Sequence, residues 1–213
     1  MSAACCPPPS PERDARFKRV LWIALVVNLS MFVIEIAGGF VSGSTALLAD
    51  AADFFGDAAN YAISLLVLPL GLMWRARAAL IKGISMGAYG AAILAYAAYN
   101  ALHGTLPEPF TMGVVGALAF ASNLGVAVLL YRFRGGDANM RSVWLCTRND
   151  VIGNLAVLAA AAGVFGTQSG WPDYIVAAIM ALLAVSASVS VIKQARAELR
   201  GEAPPADLHG HGH

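Results

Sequence analysis

Leu47-Leu48-Ala49-Asp50-Ala51-Ala52-Asp53-Phe54-Phe55-Gly56-Asp57 is the stretch on which the fold of this chain turns. Three carboxylates stand at i, i+3 and i+7, and on a helix those spacings fall on one face. The residues around them are apolar enough to lie in a bilayer. Ionisable side chains at that depth are costly and mark functional sites. The stripe therefore reads as half of a cation site carried by a membrane helix.

A second polar stripe lies further along. In Cys146-Thr147-Arg148-Asn149-Asp150-Val151-Ile152-Gly153-Asn154, the residues Cys146, Asp150 and Asn154 stand at i, i+4 and i+8. With ~1.5 Å of rise per residue and a core of about 30 Å, Asp53 and Asp57 fall roughly 13 and 20 Å below the outer end of their span. On an antiparallel span, Asp150 and Cys146 fall roughly 12 and 18 Å below it. Asp53 then levels with Asp150, and Asp57 with Cys146. Four ligands in two layers suit a divalent metal such as Zn²⁺. Without metal, desolvation and like-charge repulsion prevent all four from being ionised together. Protons are held, and an entering cation displaces them.

The rest of the chain supplies the membrane. Of 213 residues, 58% are hydrophobic and 13% charged, against about 25% charged in soluble domains. The mean hydropathy is +0.65. Six apolar segments, 19–41, 45–73, 77–103, 110–132, 139–166 and 173–195, each reach the ~20 residues that a span requires. Short links favour antiparallel neighbours. The expected fold is all-α, an integral membrane bundle of six transmembrane helices over residues 18–200. Residues 1–17 and 201–213 are expected to be disordered cytoplasmic ends. Arg13, Arg16, Lys18 and Arg19, then Arg75, Arg77 and Lys82, then Arg132, Arg134 and Arg141, then Lys193, Arg196 and Arg200 gather on alternate connections, while the other three loops hold no Lys or Arg. By the positive-inside pattern both termini are cytoplasmic. The net charge of +1 says nothing about a partner; the expected partners are divalent metal ions, protons and the lipid bilayer, with no nucleic acid. Cys5, Cys6 and Cys146 do not suggest a disulfide framework, and the N-terminus does not read as a signal peptide.

From Glu35-Ile36-Ala37-Gly38-Gly39 through Ser42-Gly43-Ser44 to Asp57, the sequence resembles the first and second helices of the cation diffusion facilitator family, six-helix divalent metal/proton antiporters that are usually dimeric. The family's second-helix motif, His or Asp, three residues, Asp, matches Asp53 and Asp57. Its fifth-helix motif, usually His, three residues, Asp, matches Cys146 and Asp150. The resemblance implies export of a divalent metal from the cytoplasm in exchange for protons, with no tightly bound cofactor, by a homodimer joined through its transmembrane helices in a bacterial inner membrane. Cys146 stands where His is usual, and a softer ligand leans toward Zn²⁺ or Cd²⁺ over Mn²⁺ or Mg²⁺; Co²⁺, Fe²⁺ and Ni²⁺ stay open. The cytoplasmic C-terminal domain usual in the family is not expected here, and the fourth-to-fifth loop lacks a His cluster.

Other residues have plainer readings beside functional ones. Asp50 reads as a packing or Ser/Thr-bonding group, with a release-path carboxylate as the alternative. Glu35 reads as a snorkelling side chain or a proton relay. Asn149 and Asn154 could complete the metal shell if Cys146 only packs. His209, His211 and His213, with Cys5 and Cys6, could collect metal at the cytoplasmic face. Asn28, Asn60, Asn123 and Asn154 read as interhelical hydrogen-bonding groups, and Gly39 and Gly43 as a small-residue helix contact. Arg148 projects roughly 160° from Asp150 and either pairs with Glu35 or Asp50 or reaches an aqueous edge. Two other functions fit acids on facing helices. One is an intramembrane aspartyl hydrolase. The other is a passive cation channel, although a channel ordinarily shows symmetric rings of charge.

Overall fold

In the computed structural model, residues 11–67, 72–133 and 138–201 are described, and among them there are six α-helices and no strand. They are α1 Pro11–Ser42, α2 Thr45–Ala62, α3 Leu72–His103, α4 Pro109–Tyr131, α5 Ala138–Thr167 and α6 Trp171–Leu199. The helix runs from Pro11, well inside the leading stretch read as disordered. Phe17 there is buried, its ring 5.2 Å from that of Phe133.

Among the described residues, five helices are long and apolar enough to cross a membrane, so the chain is a multi-pass membrane protein. The sixth element, α2, falls short because its 18 residues hold three aspartates. It is nonetheless the helix that the others surround. It touches all five, while α1 runs along it, α3 along α6, and α4 along α5. Thirteen of its residues are buried, so α2 meets protein where its neighbours meet lipid. Exposed apolar residues such as Trp22, Val33, Phe40, Phe110, Phe165 and Leu183 cover the outside of the bundle.

The span expected over 45–73 is shorter as an α-helix. It ends at Ala62 and continues as a π-helical turn, Ile63–Val67. Pro69 follows, and it has no N–H to donate to the carbonyl four residues back.

The N-terminal end of α2 is anchored by chemistry legible only in three dimensions. Ser44 caps it, its Oγ accepting from the Leu47 N–H at 3.1 Å. Behind Ser44 stands Asp173 of α6, wholly buried. One of its oxygens accepts from Ser44 Oγ (2.6 Å) and the Ala46 N–H (3.0 Å), the other from the Thr45 N–H (2.8 Å). A carboxylate at a helix N-terminus satisfies orphan donors and meets the positive end of the helix dipole. Asn100 of α3 donates to Thr45 Oγ1 at 2.9 Å, so three helices are pinned at one point.

Small residues set the helix spacing. A Cβ on Gly39 would lie 2.6 Å from Leu48 Cδ2, so α1 and α2 approach through that glycine. Gly43 has a different task from the helix contact expected of it. Its φ of +70° turns the chain between α1 and α2, a conformation open to glycine. The closest approach of α3 to α6 uses Gly83, Gly87 and Gly90; a Cβ on Gly87 would stand 2.5 Å from Ser188 Oγ, whose hydroxyl donates to Gly83 O at 2.6 Å.

Candidate metal centre

Asp50, Asp53 and Asp57 lie on α2 within the bundle, and α5 faces them. Asp57 and Asp150 have their carboxyl groups within hydrogen-bonding reach of each other, and Asp53 lies close enough for its charge to act on both. The two stripes thus meet, about one helical turn out of the expected register. Asp150 stands opposite Asp57, whereas the depth count had paired it with Asp53. The neighbouring contacts show the same offset. Toward the basic end, Tyr61 OH and Thr147 Oγ1 are 2.9 Å apart, and Tyr61 OH donates to Asp57 Oδ2 at 3.0 Å. Toward the outer end, Asn154 Nδ2 donates to Asp50 Oδ2 at 2.6 Å. The depth count treated both spans as upright rods that enter the core at assumed residues; two crossing helices do not keep that level.

A polar thread continues outward. Asn123 of α4 donates to Asn154 Oδ1 at 2.9 Å, and Asn154 passes its own amide hydrogen to Asp50. Beside Asp50 lies Glu35 of α1, its carboxyl at hydrogen-bonding range. Glu35 is completely buried and neither of its oxygens receives a donor, which overturns the snorkelling reading. One oxygen of Asp150 is likewise buried without a partner. The bundle therefore holds two carboxyl pairs, Asp57–Asp150 and Glu35–Asp50, with Asp53 between them in sequence and in charge. A carboxyl group bonds another only through a proton or a cation, because each oxygen is otherwise an acceptor.

Lys82 of α3 borders the site. Its ammonium donates to Asn60 Oδ1 and its charge reaches Asp57. Tyr61 and Thr147 were not singled out in the sequence, and Lys82 was read only as one of the basic residues that set the topology. The spacing of Tyr61 four residues after Asp57 was the available signal, since i and i+4 share a helix face. Arg148 does not pair with Glu35 or Asp50; it is exposed and donates to Asn149 Oδ1 at 3.3 Å. Asn149 is exposed with it. Asn154 and Asn60 bond across helices as expected, whereas Asn28 returns its amide to Ala24 O of its own helix at 2.8 Å.

Among the described residues, no three His, Cys, Asp or Glu side chains are gathered closely enough to hold a metal ion. The Cys146 side chain lies outside the described residues, as do Cys5, Cys6, His209, His211 and His213.

Residues 21–200 match the family model of the cation efflux transmembrane domain. Among individual proteins, the chain is 26% identical over 192 residues to the cadmium, cobalt and zinc/H(+)-K(+) antiporter of Bacillus subtilis, covering 83% of this chain and 61% of that protein. It is 26% identical over 210 residues to the zinc transporter ZitB of Escherichia coli (90% and 65%). To the metal cation efflux system protein CzcD of Cupriavidus metallidurans it is 28% identical over 183 residues (78% and 56%). The chain thus spans about three fifths of the length of these curated relatives.

Proposed function

Because the chain belongs to the cation efflux transmembrane-domain family, we propose that it carries a divalent metal cation, Zn²⁺ foremost, out of the cytoplasm in exchange for protons. The family is one of transporters and not of enzymes, which sets the aspartyl-hydrolase reading aside. The observation that carries the proposal is the meeting of Asp57 and Asp150 across two antiparallel helices. Asp53 and Cys146 complete the ligand set. Without metal, a proton lies between the facing carboxyl groups. A divalent cation needs its ligands deprotonated, so its arrival expels that proton, and its release toward the outside lets a proton return. Exchange follows from one site holding either species.

Two of the relatives, one named as an antiporter of cadmium, cobalt and zinc and the other as a zinc transporter, support the choice of metal. A thiol at Cys146 fits the same group of ions. Asp50 and Glu35 lie nearer the outer ends of α2 and α1 and offer the released ion its next carboxylates. The protein works in a bacterial inner membrane as a homodimer joined through its membrane helices. The terminal His209, His211 and His213 collect metal at the cytoplasmic face.

Purified protein in liposomes loaded with a pH dye tests the reading. An imposed Zn²⁺ gradient moves protons in the opposite direction, and Asp57→Ala and Asp150→Ala each abolish the response. Normal flux in either variant overturns the assignment, and Zn²⁺ movement without a pH change favours a passive channel. Titration with a panel of Zn²⁺, Cd²⁺, Co²⁺, Fe²⁺ and Ni²⁺, repeated on Cys146→Ser and Cys146→His, orders the metals.

A further inference from the structure

At the basic end of the bundle, α1 and α4 enclose a groove of about 560 Å³, well within the range of small-ligand pockets. Three arginines border it, Arg16 and Arg19 from α1 and Arg132 just past α4, and among the described residues no carboxylate does. Its wall is apolar, formed by Val20, Val128 and Leu129. Val128 and Leu129 are 63% and 41% exposed, so this wall opens onto the outside of the bundle. Beneath it, the packed Phe17 and Phe133 rings and the cluster containing Leu21 and Leu130 give a fixed floor. Val128 also borders a second groove, of about 230 Å³, with Tyr131 and Arg148. Both grooves therefore share one face of α4, each with a guanidinium at its edge.

The depth of these groups is informative. The apolar span of α1 begins at Ala15 and that of α4 ends at Tyr131, so Arg16, Arg19 and Arg132 stand where hydrocarbon gives way to headgroups. A guanidinium presents its donors as a fork that matches phosphate, and basic pockets between membrane helices on the cytoplasmic side suit anionic headgroups. Charge complementarity together with an apolar wall opening toward the hydrocarbon selects an amphiphile over a soluble anion. We propose that this groove binds an anionic phospholipid, its phosphate held at Arg19 and Arg132 with Arg16 adjoining, and its acyl chains lying over Val20, Val128 and Leu129. Arg16 already has an interaction within the chain, so Arg19 and Arg132 carry the recognition. The lipid joins α1 to α4 and steadies the bundle at its basic end.

Native mass spectrometry of the full chain in detergent, with added dioctanoyl phosphatidylglycerol or dioctanoyl phosphatidylcholine, tests this directly. Each arginine at an anionic surface changes affinity about five-fold. The wild-type protein should bind phosphatidylglycerol at least ~10-fold more tightly than phosphatidylcholine, and Arg19→Gln/Arg132→Gln should erase that preference. Lys193→Gln, which removes an exposed charge on α6, should leave it intact. Should the double variant not fold, Val128→Trp fills the groove with every charge kept and must also abolish binding. Equal binding of the two lipids by the wild type overturns the proposal. So does a preference that survives either groove variant, or glycerol phosphate displacing phosphatidylglycerol at equal concentration, since that marks a soluble-anion site.

Discussion

Asp173, in the first turn of α6, holds the N-terminus of α2 by accepting the Thr45 and Ala46 N–H groups at 2.8 and 3.0 Å. Asp173→Ala leaves both donors and the Ser44 hydroxyl without this acceptor inside the protein. Bonds to a charged acceptor contribute about 1.5–3 kcal/mol, and a stranded buried donor costs about 1–3 kcal/mol. The variant should lose about 3 kcal/mol or more and unfold at a clearly lower temperature in detergent. Asp173→Asn keeps one acceptor oxygen and should recover part of the loss.

Tyr61 donates to Asp57 Oδ2 at 3.0 Å while also meeting Thr147 Oγ1 at 2.9 Å. Partners that orient metal ligands typically contribute 10–100-fold in affinity. Tyr61→Phe keeps the buried ring and removes the hydroxyl, so it should fold normally yet bind Zn²⁺ about 10-fold more weakly by titration. Unchanged binding would show that Asp57 is oriented by other groups.

The parts of this protein that were legible in its sequence are those that hydropathy and helical periodicity encode. Six helices followed from the apolar runs, and the shared face of Asp50, Asp53 and Asp57 followed from their spacing. Register did not, because it depends on how α2 and α5 cross, and crossing depends on side-chain packing that spacing alone does not carry. Asp173 escaped notice for a related reason. An acid at a helix start reads as a local dipole match, and only the fold shows that the N-terminus it serves belongs to another helix. Glu35 was read as snorkelling from its place near the outer end of its span. Where α1 packs against α2, that end is covered by protein.

Asn123, Asn154 and Asp50 form a chain in which each amide group donates to the next residue. Such neighbours are coupled, by about 0.5–3 kcal/mol in double-mutant cycles. Asn154→Ala should cost about 1–3 kcal/mol, since it strands both Asp50 and Asn123. Asn123→Ala in that background should then cost much less than it does alone. Additive unfolding free energies would show that the three residues act independently.

Glu108 caps α4 from the loop before it, accepting from the Phe110 and Thr111 N–H groups at 2.9 and 2.6 Å. The bonds from Thr111, then that from Phe110, hold its carboxyl below the ordinary 4.5. The folded state then binds fewer protons than the unfolded state between the two values. The contribution of the cap is therefore complete above 4.5 and fades as pH falls through the folded value. The melting temperatures of wild type and Glu108→Ala should differ by a constant amount at neutral pH and converge on acidification. A gap that widens in acid would contradict the cap.

Gly39 lets α1 lie against Leu48, and a Cβ there would come within 2.6 Å of Leu48 Cδ2 and 2.7 Å of Cγ. Cγ is not the free end of a flexible chain, so the clash must be met by a rotamer change or by parting the helices. Overpacking of this kind costs about 1–3 kcal/mol. Gly39→Ala should lower thermal stability accordingly. Because Leu48 lies two residues before Asp50, parting α1 from α2 also separates Glu35 from its partner, so transport should fall with stability. Leu48→Ala alone opens a cavity and destabilises, but combined with Gly39→Ala it should be milder than the two losses added. Strict additivity in stability, with transport unaffected by Gly39→Ala, would show that this contact does not set the position of Glu35.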